Sequence, residues 1–261
     1  MMKKLLTACA LTTLFGASLQ ADIMRVEAGV GAWAQTPSGY ANRNDGDGLI
    51  DLDGTFTSSE KESTETYAWI LFKHPLPIIP NLRLEYVTVS DEGKTSGRVN
   101  GMEIPDGEAA PTTIDMTQYD IIPYYNLLDN TFWMTVDLGL DVKVIQSDTT
   151  VAAVSSPIPG VSDFPGYSST DTTVIPLIYL RTRVEIPVTN IGLEADAKAI
   201  TDGTNTMYDL RAKVDYTLDF IPVVQPGLEV GYRVQKLIVD DGANQVDLEY
   251  AGVYAGLMVR F

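Results

Sequence analysis

The sequence is short of three things: cysteine, histidine and positive charge. It holds one Cys, one His, and 18 Lys or Arg against 35 Asp or Glu. A single cysteine cannot build a disulfide framework. One histidine leaves little material for the imidazole-based acid–base and metal chemistry that most often marks an active site. A formal charge of −17 argues against nucleic acid as a partner, because phosphate recognition needs a basic surface. After residue 21 there is no apolar run long enough to form a spanning helix. What the chain does have is a β composition, with 13 Tyr, 21 Gly and many Val and Thr.

Residues 1–21 read as a secretory signal peptide. Lys3 and Lys4 form a basic head, 5–19 an apolar middle, and Ala21 ends a small-residue cleavage site. Leu6-Thr7-Ala8-Cys9 also fits a lipobox, but the apolar run continues past Cys9, which argues for cleavage at Ala21. Such cleavage removes Cys9 and takes the charge balance to −19, since Lys3 and Lys4 leave as well. The expected organisation is therefore 1–21 as leader and 22–261 as one domain.

Alternation of apolar and polar residues marks ten strands in that domain. They are expected at 22–34, 64–74, 82–90, 113–127, 131–145, 172–187, 191–200, 206–219, 226–239 and 246–261. The clearest is the fifth, where Phe132, Met134, Val136, Leu138, Leu140, Val142 and Val144 share one face. Trp133, Thr135, Asp137, Gly139, Asp141 and Lys143 share the other. Connections after even-numbered strands are short, including a turn expected at 128–130. Three of those after odd-numbered strands are long and polar: 35–63, 91–112 and 146–171. Sorting of loop length by parity is a property of outer-membrane barrels, with turns in the periplasm and loops outside the cell. Aromatics fall near both strand ends. Phe72, Tyr125, Phe132, Phe220 and Phe261 lie on the turn side, with Tyr67, Tyr208, Tyr232 and Tyr250 toward the loops, as two interfacial belts would require.

The chain ends Gly256-Leu-Met-Val-Arg-Phe261, with Val253, Ala255, Leu257, Val259 and Phe261 on one face. This ending resembles the C-terminal signature of small Gram-negative outer-membrane β-barrel proteins. The resemblance implies an all-β fold, a transmembrane antiparallel up-and-down barrel of about ten strands. It also implies that Phe261, with Val259 and Leu257, is the assembly signal read by the barrel-assembly machinery. Outer-membrane lipid and lipopolysaccharide are the implied surroundings, and no catalytic residue comes with the resemblance.

Candidate sites come from the polar strand faces. Arg25, Glu27, Arg83, Glu85, Asp137, Asp141, Lys143 and the polar residues of strands six to nine are expected to point inward. The latter are Arg181, Arg183, Glu185, Glu194, Asp196, Lys198, Asp209, Arg211, Lys213, Asp215, Glu229 and Arg233. Opposite charges on neighbouring strands should pair, because an unpaired charge in a narrow lumen is costly. Two readings follow: a charge network that occludes the barrel, or a narrow porin-like channel. The sole histidine, His74, falls at the turn side. The omptin proteases, also ten-stranded barrels, keep catalytic Asp and His at the extracellular rim. No enzyme is expected. Asp45, Asp47, Asp51 and Asp53 resemble part of a calcium loop. The match is incomplete, since Arg43 would occupy the first ligand position and Gly54 the bidentate one. No cofactor is expected beyond weakly bound calcium there.

Overall fold

The computed structural model describes residues 24–42, 54–76, 78–131, 133–218, 224–240, 242 and 245–261. The expected leader, and Asp45, Asp47, Asp51 and Asp53, lie outside the described residues. So do Phe132 and Phe220.

Twelve strands form one antiparallel sheet system: β1 (Arg25–Asn42), β2 (Gly54–Ser58), β3 (Ser63–Lys73), β4 (Asn81–Val99), β5 (Met102–Glu103), β6 (Ala110–Thr131), β7 (Met134–Val151), β8 (Tyr167–Ile186), β9 (Ile191–Thr201), β10 (Thr206–Thr217), β11 (Gln225–Asp240) and β12 (Gln245–Arg260). Ten of them make the barrel in sequence order, each paired to the next. β12 returns to β1 in a register running from Glu27–Arg260 to Asn42–Gln245. Phe261 locks this seam with its N–H on the Val26 carbonyl at 2.9 Å. Closure pairs each of the ten barrel strands on both sides in the lower wall, the condition for crossing a bilayer with strands, while the upper part of β8 and the short β5 keep one edge free among the described residues. β2 stands above β3 in the same gap between β1 and β4, and residues 59–62 bulge between them. β5 folds back on the top of β4.

The polarity of the two faces inverts partway up the wall. In the lower part the exposed outer face is apolar: Ile70, Leu84, Ile121, Leu138, Leu140, Ile178, Leu180, Leu210, Val230 and Val253. The inner face there is charged. In the upper part the inner face is apolar, with Val87, Val89, Ile114, Met116, Ile145, Val246 and Leu248 all buried. The outer face there carries Glu92, Asp115, Asp148 and Thr150. The switch falls between consecutive residues in three strands, at Tyr86/Val87, Val144/Ile145 and Met207/Tyr208. Lipid rewards apolar residues outside and water rewards them inside, so the inversion marks where the wall leaves the membrane. A β crown with a conventional apolar core thus stands on an inside-out membrane barrel.

Several sequence-based expectations change as a result. The segments read as long polar loops carry strand extensions at both of their ends: β1 runs to Asn42, β4 to Val99, β7 to Val151, and β6 and β8 begin at Ala110 and Tyr167. The turn expected at 128–130 is strand, and a turn residue comes instead at Trp133, which takes φ 62°. Trp133 is therefore exposed at a turn and does not point into the barrel. The loop-side belt also differs. Tyr232 is exposed, but Tyr67 and Tyr250 are buried on the inner face. Their strand parity puts them with Trp69 and Leu248, and burial of their hydroxyls makes them plug residues. On the turn side Phe72, Tyr125 and Phe261 are exposed as a belt requires.

Candidate functional site

The candidate site is the lumen. Its side chains stack in layers from the turn side upward. At the bottom Arg25, Glu27, Arg183, Glu185, Asp215 and Arg260 interlock. Arg183 binds Asp215 at 2.6 and 2.9 Å, and Arg260 reaches Glu27 at 3.0 Å and Asp215 at 3.2 Å. Next, Glu194 gathers Arg181 at 2.6 Å, Arg183 at 3.2 Å and Arg83 at 3.3 Å, and Arg181 also binds Asp137 at 2.7 Å. Above these, Arg211 holds Asp196 at 2.9 Å and Glu85 at 2.6 Å. Lys198 bridges Glu85 and Asp120, while Lys143 sits 2.6 Å from Asp120 and 3.5 Å from Asp209. Arg233 closes on Asp209 with two hydrogen bonds. Gln118 and Gln235 exchange hydrogen bonds as the lid of this segment, at 2.7 and 3.2 Å.

Aromatic residues complete the packing. Glu229 accepts hydrogen bonds from the Tyr67 hydroxyl at 2.8 Å and the Trp69 indole at 2.9 Å, and pairs with Lys213 at 2.8 Å. Lys213 lies 4.4 Å above the Trp69 ring, and Arg233 lies 5.1 Å from the Trp33 ring. Glycines face these large groups. A Cβ on Gly29 would lie 2.4 Å from the Trp69 indole nitrogen, and one on Gly192 would lie 2.2 Å from the Arg183 guanidinium. Inward glycine is therefore part of the plug, as the smaller half of each contact.

All twelve charges expected on strands six to nine face inward, though Glu185 keeps its side chain partly exposed at the lower mouth. Neighbouring-strand pairs form for Arg181–Glu194, Arg211–Asp196, Lys213–Glu229 and Arg233–Asp209. Lys198 takes Glu85 and Asp120 from the far side, with Asp209 of the neighbouring β10 at 3.6 Å. Asp120, Arg260, Tyr67, Trp69, Tyr124 and Tyr179 are members that sequence reading did not place in the network. Asp120 and Tyr124 lie in the run Tyr119-Asp-Ile-Ile-Pro-Tyr-Tyr125, where the apolar Ile122 also faces inward and hides the parity.

Between the lower mouth and the Gln118–Gln235 layer the described inward carboxylates are eleven: Glu27, Glu85, Asp120, Asp137, Asp141, Glu185, Glu194, Asp196, Asp209, Asp215 and Glu229. The cations are ten: Arg25, Arg83, Lys143, Arg181, Arg183, Lys198, Arg211, Lys213, Arg233 and Arg260, and the Lys73–Asp129 pair at the lower mouth adds one charge of each sign. The interior is close to neutral, so the acidic surplus lies elsewhere. In the crown Glu60, Glu62, Glu92, Glu103, Asp106, Glu108, Asp115, Asp148, Asp163, Asp202 and Asp240 are exposed, against exposed Lys61, Lys94 and Arg98.

Asp91 stands apart inside the crown. It is fully buried, its Oδ1 accepts from the Ser58 hydroxyl at 2.7 Å, and its Oδ2 has no hydrogen-bond partner. Burial among apolar residues pushes its carboxyl up to about 6, against the opposing effect of the Ser58 hydrogen bond. His74 sits in the β3–β4 connection. Its Nδ1 accepts from the Leu76 N–H at 3.1 Å, so Nε2 carries the proton and donates to the Pro80 carbonyl at 3.1 Å. Of the expected assembly residues, Leu257 and Phe261 are exposed on the outer face and Val259 is half-buried beside them.

No protein-family model matches the chain. No curated protein matches it either. Solved structures do match in shape. The outer membrane protease OmpT of Escherichia coli superposes with a TM-score of 0.56 at 11% identity, over 91% of this chain and 97% of that chain. Neisserial surface protein A gives 0.31 at 14% identity, over 92% and 99%. A FadL homologue of Pseudomonas aeruginosa gives 0.37 at 9% identity, over 92% and 90%. The first of these likenesses is one of fold: the chain is built as an outer-membrane β-barrel.

Proposed function

We propose that the protein is an integral outer-membrane barrel with a mostly occluded lumen and a structural or surface-interaction role. The observation that carries this reading is contact between strands five places apart in the ten-strand ring. Arg25 on β1 meets Glu185 on β8 at 3.2 Å, Arg211 on β10 meets Glu85 on β4 at 2.6 Å, and Gln235 on β11 meets Gln118 on β6 at 2.7 Å. These three layers cross the path of any solute at different heights. The exposed carboxylates of the crown support a surface role, because a dense field of one sign attracts partners of the other. No catalytic role is assigned, and both ring nitrogens of His74 serve the turn. Export through the leader, removal of residues 1–21, and handling of Phe261 by the barrel-assembly machinery belong to the same reading. So does contact with lipopolysaccharide, with Asp45, Asp47, Asp51 and Asp53 holding calcium weakly. A calorimetric titration with calcium, repeated on an Asp47→Asn, Asp51→Asn variant, tests that site.

Planar-bilayer recording on the purified protein tests the main proposal. Silence, or small intermittent events, is the expected outcome. Large steady conductance would replace it with a porin-like passive channel.

A further inference from the structure

We propose that Asp141 is a proton-binding site of the lumen: the residue is protonated in the folded barrel, and its ionisation unsettles the plug beside it. The charge inventory points to this residue. Ten inward carboxylates each lie within ion-pair distance of a cation, from Glu27 with Arg260 to Glu229 with Lys213. Asp141 is the eleventh. It is fully buried, neither oxygen has a hydrogen-bond partner, and it makes no salt bridge.

The groups around it offer no remedy. Lys198 on β9 and Lys143 on its own strand supply positive charge to it, but both are committed. Lys143 serves Asp120 and Asp209, and Lys198 serves Glu85, Asp120 and Asp209. Asp120 on β6 and Glu85 on β4 add like charge. On β8 the residue in register is Leu177, buried and apolar. An ionised carboxylate without a donor in such a place is strongly disfavoured, and a proton neutralises it without needing room. With that proton bound, the remaining inward charges balance ten against ten.

The wall is also interrupted at this height. The β6–β7 ladder has no paired rung between Ile121–Val142 and Tyr124–Gly139, because Pro123 has no N–H to give. Asp141 occupies that gap. Ionising it would draw water to a point where rungs of the sheet are missing.

Infrared spectroscopy of the whole barrel in lipid vesicles reads the site directly. The C=O stretch of a protonated carboxyl group is expected at neutral pH in the wild type, lost on titration to alkaline pH. In an Asp91→Asn background, which removes the buried crown carboxyl, it should be absent from Asp141→Asn and retained in Asp137→Asn, whose carboxylate is paired with Arg181. Denaturant unfolding in the same Asp91→Asn background should show stability declining as pH rises and that decline lost on adding Asp141→Asn. If that variant fails to fold, the wild-type titration and the Asp137→Asn control still decide the matter. A wild-type spectrum without the band overturns the proposal. So does stability that follows sodium or potassium concentration at fixed pH, which would mean a bound metal cation in place of a proton. Steady large conductance with the band present would overturn the occluded-lumen reading and leave this one standing.

Discussion

Arg211 and Glu85 meet at 2.6 Å from opposite walls of the barrel, and each has a second partner that fixes it there. Arg211 also binds Asp196, its neighbour on β9, and Glu85 also receives Lys198. A rope of charges is thus anchored at both ends. A buried pair is not in itself a strong source of stability, but removal of one member strands the other at a cost of about 3–5 kcal/mol. Arg211→Ala combined with Arg181→Ala should therefore lower stability and open a water path. Bilayer recordings should show conductance in the double variant where the wild type is silent. Channels of equal size in both proteins would show that the rope does not block the lumen.

Glycine at position 29 exists to make room for Trp69. The three atoms nearest a Cβ there all belong to the indole, at 2.4, 2.6 and 2.9 Å. Gly29→Ala should push the ring aside, break its hydrogen bond to Glu229 and cost about 1–3 kcal/mol, the usual range for overpacking a filled interior. Gly101→Ala serves as a control of a different kind. Nothing lies within 4 Å of a Cβ there, but its φ of 73° makes the substitution strained at the β4–β5 hairpin. Tryptophan fluorescence should change in the first variant and stay constant in the second.

Leu138 and Thr135 lie three residues apart on β7, one on the lipid face and the other beside Arg183 near the lower mouth. Leu138→Arg puts a charge against hydrocarbon, at about 2–4 kcal/mol near mid-membrane. Thr135→Arg should cost less, because the lumen can hydrate or pair the new group. Refolding free energies measured in lipid vesicles should separate the two variants, and equality would mean that the lipid face has been misassigned.

The lower wall was legible because lipid and lumen impose a strict alternation on strands such as 134–144. The crown was not, because its strands alternate in the opposite phase. A reading that follows one apolar face loses it at Tyr86-Val87 or Val144-Ile145, and the following Ser and Thr then look like loop. The expected loop 146–171 illustrates this. Gln146, Asp148 and Thr150 face water while Ile145, Ser147, Thr149 and Val151 face inward, a normal half-buried strand. The lumen residues were largely legible by parity. Pairing between neighbouring strands, as of Arg211 with Asp196, followed from the same pattern, but partners across the lumen did not, since Lys198 reaching Glu85 depends on barrel diameter and strand order, which no local pattern encodes.

Phe261 donates its N–H to Val26 at the closing seam and exposes its ring at the lower rim. Deleting it removes a rung of the β12–β1 closure as well as a belt aromatic. The heat-modifiable, folded fraction in outer membranes should fall, while the same variant refolded from urea into detergent should lose little. Equal folded fractions in membranes would show that the residue has no part in assembly.

Asp91 gives the crown its own pH dependence. Its carboxyl is pushed from an ordinary value of 3.8 up to about 6 by burial, so the folded state holds a proton that the unfolded chain releases. By linkage, its contribution is most favourable below about pH 4, is lost as pH rises through 6, and is constant above that. The full change is about 2–3 kcal/mol at roughly 1.4 kcal/mol per unit. The Ser58 hydroxyl bound to Asp91 belongs to β2, which pairs with β1 and β4 over the 59–62 bulge, so the loss should be felt first at that strand. Hydrogen exchange at Phe56 and Thr57 should accelerate between pH 5 and 7 beyond the intrinsic chemical rate. Asp91→Asn should abolish the extra acceleration, since an amide does not ionise and can still accept from Ser58. Exchange that tracks only the chemical rate in both proteins would show that Asp91 does not govern the crown.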